Sequence, residues 1–447
     1  MADGSREQWR SRQGFILAAI GSAVGIGNIW RFSYVAGENG GGAFLLIYLV
    51  CVLLVGAPII IAELALGRHG QGDAVSVFHK VAPGSRWSVA GWIGVVIGFL
   101  ILSYYSVVAG WALKYFHGAV TGALWRQTES GFAIFFENFI AGSTEPVAWQ
   151  FATIAVAMLV VSGGVRRGIE IANRVLMPLL ALIVISLAIF GLTLPGAEKG
   201  WSFLLMPQKD AFLRPEIYVA ALGQAFFSLG VGMAVFITYG GYLPRHVRLV
   251  PSAAAIIAGD TLFAIIAGLA IFPAVFAFGI SPTAGPELAF ITLPKIFLAM
   301  PGGKIVGAVF FFLLVAAALT SMISMLEVPV AFVIGRFAVR RRAAVVVVGM
   351  TGFALGIPSA LSFGVLGDVR INGRGIFDAM DQAVSGYMLP TGGILISLFV
   401  GWRWGAIPAQ TEAGLMGARL GIIWIWLIRI VSPGLATLII LSATGVL

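Results

Sequence analysis

Gly21-Ser22-Ala23-Val24-Gly25-Ile26-Gly27-Asn28 sits in the middle of an apolar stretch running over 13–36. Ser228-Leu229-Gly230-Val231-Gly232-Met233 sits in the middle of another, over 216–242. A glycine inside a helix costs about 1 kcal/mol relative to alanine, so repeated glycines at mid-span invite the backbone to unwind. Lipid cannot satisfy free N–H and C=O groups, so unwound backbone survives at membrane depth only where it is buried in protein or lines a cavity. Two such interruptions, five helices apart, point to a binding site near the bilayer midplane. Either one alone is explained by close helix packing through small residues. The pairing, and the polar residues nearby, favour the site.

The composition supports a membrane setting. Of 447 residues, 59% are hydrophobic and 11% charged, against about 25% charged in soluble domains. A spanning helix needs roughly 20 mostly apolar residues. Eleven stretches qualify or come close: 13–36, 42–67, 88–116, 148–163, 170–193, 216–242, 251–279, 303–335, 343–361, 382–402 and 419–445. The connections near 117–147, 195–215 and 281–301 read as loops with short helices, and no segment reads as a separate soluble domain. With the N-terminus cytoplasmic, most of the 28 Lys and Arg fall on the inner side, as the positive-inside rule requires. That accounts for the net charge of +9 without nucleic acid, and eleven spans put the C-terminus outside. Arg12 followed by Phe15–Ala23 has the outline of a secretory signal, but the apolar run continues to Phe32. Cys51 is the single cysteine, which excludes a disulfide framework and a multi-cysteine metal site. No P-loop, HExxH or nucleophile–His pair suggests an enzyme.

Glu63, Asp260, Glu327, Asp381 and Arg31 fall within the spans. A charge there is costly unless paired or hydrated, so each is a functional candidate. Glu63 reads as an acceptor for unwound backbone of the sixth span. Glu327 and Asp381 sit near span ends, where water could reach them. Asp260 is deeper.

Gly21-Ser-Ala-Val-Gly-Ile-Gly-Asn-Ile-Trp-Arg31-Phe, followed by Glu38-Asn-Gly-Gly-Gly-Ala-Phe44, resembles the neurotransmitter:sodium symporter family, in particular its bacterial amino-acid transporters. Supporting motifs are Gly56-Ala-Pro58, Tyr104-Tyr105, Gly223-Gln-Ala-Phe-Phe-Ser228, Ile237-Thr-Tyr239, Phe290-Ile-Thr-Leu-Pro294, Leu319-Thr-Ser321 and Asp378-Ala-Met-Asp381. The agreement covers about residues 6–445. This family is one of the known cases of inverted-repeat architecture. The resemblance therefore implies an all-α integral membrane protein, one transporter domain over 1–447. Its spans one to five (about 12–193) and six to ten (about 216–402) would form a 5+5 inverted repeat with unwound first and sixth helices. The helix at about 419–445 is additional.

The resemblance also implies site residues. A first sodium would meet Ala23, Asn28, Ser228 and Asp260, and a second would meet Gly21, Val24, Ala317, Thr320 and Ser321; hard cations prefer such oxygen ligands. Substrate would meet Ala23, Ile26, Gly27, Ile101, Tyr105, Phe227, Ser228, Gly230, Met233, Ser321 and Met325. Arg31, Asp381 and Phe227 would gate the outer side, and Arg6, Trp9 and Tyr242 the inner side. The implied function is sodium-coupled import of an L-amino acid by alternating access. The lipid bilayer is the third partner, in the cell inner (plasma) membrane, with the chain a monomer or weak dimer. The pocket wall carries no charge beyond the ion sites, which points to neutral hydrophobic substrates of medium to large size. Three departures or particulars matter. The acid that pairs with the N-terminal arginine in the family is Gly335 here, and Glu327 is the first candidate to replace it. Gly168 and Pro178 keep a spacing that accompanies unwinding of the fifth span. Around a chloride position matching Tyr48, Gln224, Ser228 and Asp260, the next residue is Ala264 and Asp260 brings its own carboxylate. Chloride-independent transport is therefore expected, with proton counter-transport open.

Overall fold

The structure, a computed structural model, describes residues 7–128, 131–279 and 288–446. Among the described residues nine helices are long and apolar enough to cross a membrane. They are α3 (Gly42–Gly70), α4 (Ser88–Thr121), α5 (Glu145–Ser162), α6 (Val165–Leu192), α9 (Leu249–Ala277), α10 (Gly303–Phe337), α11 (Arg341–Ala360), α12 (Ile376–Trp404) and α13 (Arg419–Ala443). A tenth unit is broken: α1 (Arg12–Ala23) and α2 (Gly27–Glu38) meet at 53°. A second interrupted pair is α7 (Pro215–Leu229) and α8 (Val235–Gly241), both shorter. Large apolar side chains such as Leu159, Leu182 and Ile305 are exposed on the outside of the spans, as lipid-facing helices require.

Both breaks fall on the glycine-rich stretches. α1 ends where Val24 turns extended (φ −71°, ψ 109°), its N–H still bonded to the Ile20 carbonyl at 2.7 Å. α7 ends because Gly230 takes φ +62°, and Gly232 follows at +90°. Those values suit glycine, which has no Cβ to clash. Ala234 also has positive φ, +59°, a strained conformation for a residue with a Cβ.

The first half of the broken span, α1, is anchored at its start. Ser11 caps α1 by accepting the Gly14 N–H at 2.9 Å, a preferred N-cap arrangement. The buried Glu170 carboxylate of α6 accepts the Arg10 N–H at 2.8 Å and the Ser11 hydroxyl at 3.0 Å. A negative charge belongs at a helix N-terminus. Along the α1–α6 contact, a Cβ on Gly14 would lie 2.0 Å from Glu170, and one on Gly21 would lie 2.0 Å from Asn173 Oδ1. Only bare glycine lets these helices approach so closely. The inner end of α6 is a π-turn over Val165–Ile169, then α-helix from Glu170 to Leu192 straight through Pro178. The unwinding suggested by the Gly168–Pro178 spacing is thus not the conformation here; the wider π-turn absorbs the irregularity. The second correction concerns Glu327, which is 0% exposed and not solvated at a span end.

A Cβ on Gly232 would lie 2.5 Å from the Leu389 carbonyl and 2.8 Å from the Gly393 N. Together with the forced φ, Gly232→Ala should cost roughly 1–3 kcal/mol, seen as a lowered thermal unfolding midpoint in detergent. Gly223→Ala, with nothing within 4 Å of its Cβ position, should be neutral or slightly stabilising. Equal midpoints for the two variants would contradict this account.

Candidate functional site

The two breaks face each other, and polar groups converge between them. Asn28 Nδ2 donates to Asp260 Oδ1 at 2.7 Å and to Ser228 Oγ at 3.0 Å. The Ser228 hydroxyl donates to Asp260 Oδ2 at 2.8 Å, and the Tyr48 hydroxyl approaches the same oxygen at 3.4 Å. Asn28 Oδ1 accepts the Gly25 N–H at 3.0 Å, tying this cluster to the unwound strand itself. Asn28, Ser228 and Asp260 are all buried. A carboxylate, an amide and a hydroxyl converging in a dry setting form an oxygen-rich, net negative cluster. Its lone pairs suit a hard cation.

A second cluster lies one turn away, where α10 crosses the break. The Thr320 hydroxyl lies 2.9 Å from the Ala317 carbonyl and 3.3 Å from the Val24 carbonyl. The Ser321 hydroxyl lies 3.2 Å from the Ser22 carbonyl and 3.3 Å from that of Val24. Of the five residues singled out here from sequence, Val24, Ala317, Thr320 and Ser321 come together, whereas Gly21 is seen packed against Asn173 and Met177. Ser22 was missed. Buried serines usually bond their own helix, so no sequence signal marked its carbonyl.

Between the clusters lies a small enclosed cavity of about 30 Å³. Of the residues singled out from sequence, Ala23, Gly27, Ile101, Tyr105, Phe227, Ser228, Gly230, Met233, Ser321 and Met325 line it, and Ser22, Gly25, Asn28 and Leu389 complete it. Leu389 carried no sequence signal; its carbonyl lies against Gly232, 2.5 Å from where a Cβ would stand. Ile26 lines a neighbouring cavity that shares Gly27, Tyr105 and Phe227 with this one. Its N–H donates to the Tyr105 hydroxyl at 2.9 Å. Met233 curls back over Gly230, with Cε 2.3 Å from where a Cβ would stand. The Glu63 carboxylate, buried in α3, accepts the Gly232 N–H at 2.7 Å.

The family model of the sodium:neurotransmitter symporter family matches residues 6–134 and 140–446. The chain belongs to that family. It is 40% identical over 450 residues to an uncharacterized sodium-dependent transporter of Bacillus subtilis (strain 168), covering 100% of both chains. It is 27% identical over 460 residues to the sodium- and chloride-dependent GABA transporter 2 of Rattus norvegicus, covering 90% of this chain and 73% of that one. The crystal structure of MhsT in complex with L-phenylalanine superposes with a TM-score of 0.92 at 51% identity, covering 98% of this chain and 100% of that one. The chain is thus a sodium-dependent transporter by family and not an enzyme.

At the Phe227 end of the site, the Arg31 guanidinium lies 4.1 Å over the Phe227 ring, a cation–π contact. Asp381 accepts the Tyr104 hydroxyl at 3.0 Å. Arg31 and Asp381 face one cavity of about 50 Å³ without a direct ion pair between them.

Just before α1, Trp9 is buried and its indole N–H donates to the Tyr239 carbonyl at 3.0 Å. Its backbone N–H donates to the Tyr242 carbonyl at 3.2 Å. The Tyr242 hydroxyl donates to Glu327 at 2.6 Å. Glu327 also pairs with Arg341, which reaches Glu7 at 3.1 Å. Arg6, expected in this gate, lies outside the described residues. A Cβ on Gly335 would lie 2.8 Å from Asp73 Oδ2, while Asp73 Oδ1 accepts the Val75 and Ser76 N–H groups. Arg341 is one of three consecutive arginines, and nothing in the sequence says which of them turns inward.

Glu63→Leu removes the acceptor of a buried N–H and should cost about 1–3 kcal/mol. Glu63→Gln keeps a carbonyl oxygen for Gly232 and should cost less. Thermal unfolding of the two purified variants checks the order, and a more stable Leu variant would remove Glu63 from this role.

Proposed function

We propose that this chain is an eleven-span symporter that couples inward sodium flow to uptake of neutral, hydrophobic L-amino acids by alternating access. α7 and α8 count as one span broken at Gly230–Ala234, the partner of the break between α1 and α2. The two form corresponding members of a 5+5 inverted repeat, with α13 additional, the N-terminus cytoplasmic and the C-terminus outside. One observation carries the reading: both breaks direct backbone and side-chain oxygens at a single buried cavity whose remaining wall is apolar.

In this reading the first sodium is held by Ala23, Asn28, Ser228 and Asp260, and the second by Gly21, Val24, Ala317, Thr320 and Ser321. The substrate carboxylate meets the free amides near Gly27 and the Tyr105 hydroxyl, since a helix N-terminus favours an anion. Its side chain points to Ile101, Phe227, Met233 and Met325. The cavity is smaller than an amino acid, so substrate displaces the Met233 thioether from its place over Gly230. Methionine has the rotatable bonds to allow this. The L-phenylalanine bound by MhsT supports a large apolar substrate. Arg31 stacked on Phe227 lids the site from outside, and Trp9 with Tyr242 plugs it from inside. Sodium entry is driven by its gradient plus about 2.3 kcal/mol per charge per 100 mV.

Asp260 supplies one fixed negative charge against the sodium charge in a low-dielectric site, so chloride is not needed. On the return step, without sodium, the same carboxylate is free to carry a proton outward.

Uptake of a radiolabelled amino-acid panel into proteoliposomes tests the substrate class. Leu, Met and aromatic residues should compete, and competition by only Gly, Ala or charged amino acids would overturn it. Met233→Trp should shift preference toward smaller side chains. Replacing chloride by gluconate should leave wild-type uptake unchanged, and a several-fold loss would refute the role given to Asp260. Asp260→Asn should abolish uptake or make it chloride-stimulated, most clearly with Ala264→Ser added.

A further inference from the structure

α5 is apolar from Val147 to Val161 apart from Gln150 and Thr153. A primary amide in a span needs hydrogen-bonding partners from neighbouring helices. Gln150 is 0% exposed, and its side-chain nitrogen has acceptors on two of them. Ser106 Oγ of α4 lies 3.2 Å away and the Ser103 carbonyl 3.5 Å, while the Phe353 carbonyl of α11 lies 3.3 Å away. The Ser106 hydroxyl donates to the Ser103 carbonyl at 2.7 Å, and the Thr153 hydroxyl lies 3.3 Å from the Ser106 carbonyl. Glycines let the backbones in. A Cβ on Gly356 would lie 2.2 Å from both the Gln150 side-chain nitrogen and the Ser103 carbonyl oxygen, and one on Gly110 would lie 2.8 Å from the Gln150 backbone N. α4, α5 and α11 are thus knotted at one turn.

Such a knot could be helix glue and nothing more. Its place on α4 argues for more. α4 is 34 residues long, and Gln150 grips it at Ser103–Ser106, the turn that carries Tyr104 and Tyr105. Successive residues of a helix are about 100° apart around its axis. With Ser103 and Ser106 against α5, the two tyrosines therefore project from the opposite side of α4. There the Tyr105 hydroxyl accepts the Ile26 N–H at 2.9 Å, and the Tyr104 hydroxyl donates to Asp381 at 3.0 Å. Cα atoms lie about 2.3 Å from a helix axis, and a tyrosine hydroxyl stands several times farther out. A small rotation of α4 is amplified at both hydroxyls.

We propose that Gln150 is a positioning residue. It fixes the rotation of α4 about its own axis, and so aims the Tyr105 hydroxyl at the cavity between the two breaks and the Tyr104 hydroxyl at Asp381. Gln150 lines neither of the two cavities that Tyr105 faces; it acts through α4. That substrate meets Tyr105 rests on the symport reading above. That Gln150 holds Tyr105 against Ile26 does not.

The test is a double-mutant cycle on purified full-length protein. The Gln150 side-chain oxygen has no partner, so Gln150→Met removes the bonds of the nitrogen and little else. Binding of tritiated L-phenylalanine in sodium buffer is measured for wild type, Gln150→Met, Tyr105→Phe and the double variant. Each single variant should raise the half-saturating concentration severalfold, with the number of sites unchanged. The double variant should lie within about twofold of Tyr105→Phe, because a ring without its hydroxyl has nothing left to aim. Ser106→Ala, a smaller lesion of the same knot, should act in the same direction and be equally silent beside Tyr105→Phe; it carries the test if Gln150→Met does not fold. If the two effects multiply, or if Gln150→Met only lowers the number of sites, Gln150 is helix glue and the proposal falls. Thermal unfolding of the same four proteins needs no substrate. The midpoint loss of the double variant should be smaller than the sum of the single losses, and a full sum overturns the proposal. If wild type binds no amino acid, or Tyr105→Phe binds like wild type, the symport reading of this site fails instead, and the unfolding cycle still decides the role of Gln150.

Discussion

Backbone amides freed inside a membrane must find partners within the protein, and this constraint organises the whole molecule. Interrupting two helices at the bilayer's depth leaves N–H groups that lipid cannot satisfy. Three of them are met by specific side chains: Gly25 by Asn28, Ile26 by Tyr105, Gly232 by Glu63. The partners come from the broken span itself, from α4 and from α3. Satisfying the breaks thus pins two other elements, α3 and α4, around them. The site is a by-product of this arrangement, because the groups that quench the backbone also leave lone pairs pointing inward.

The two clusters differ in charge. Around Asp260 a full carboxylate meets an amide and a hydroxyl; around Thr320 and Ser321 the oxygens are all neutral. A monovalent cation gains more from the first in a dry setting. The second, built on hydroxyls and carbonyls of two crossing helices, depends on those helices staying crossed. A difference of this kind gives two positions unequal sensitivity to movement of α1 against α10.

Much of this was legible in the sequence, for a physical reason. Spans, helix breaks and intramembrane charges are strong signals because the bilayer punishes exceptions to each. The glycine-rich segments at 21–28 and 228–233, Glu63 and Asp260 all declared themselves in that way. What remained hidden depends on the approach of distant elements. Asp73 stands against Gly335 from the far side of a loop, Leu389 enters through its backbone, and Arg341 is singled out from its neighbours only by how α11 begins. Glu327 sits near a span end in sequence but deep in the packing, since Tyr242 and Arg341 close over it. Ile26 lines the neighbouring cavity, which shares Gly27, Tyr105 and Phe227 with the first.

The contact of α1 with α6 is closest where Gly14 and Gly21 meet Glu170 and Asn173. At those two positions α1 presents backbone alone, and Glu170 and Asn173 seat directly against it. A methyl group at either glycine would have to push α6 aside, so the spacing of the two helices is set by two absent side-chain atoms.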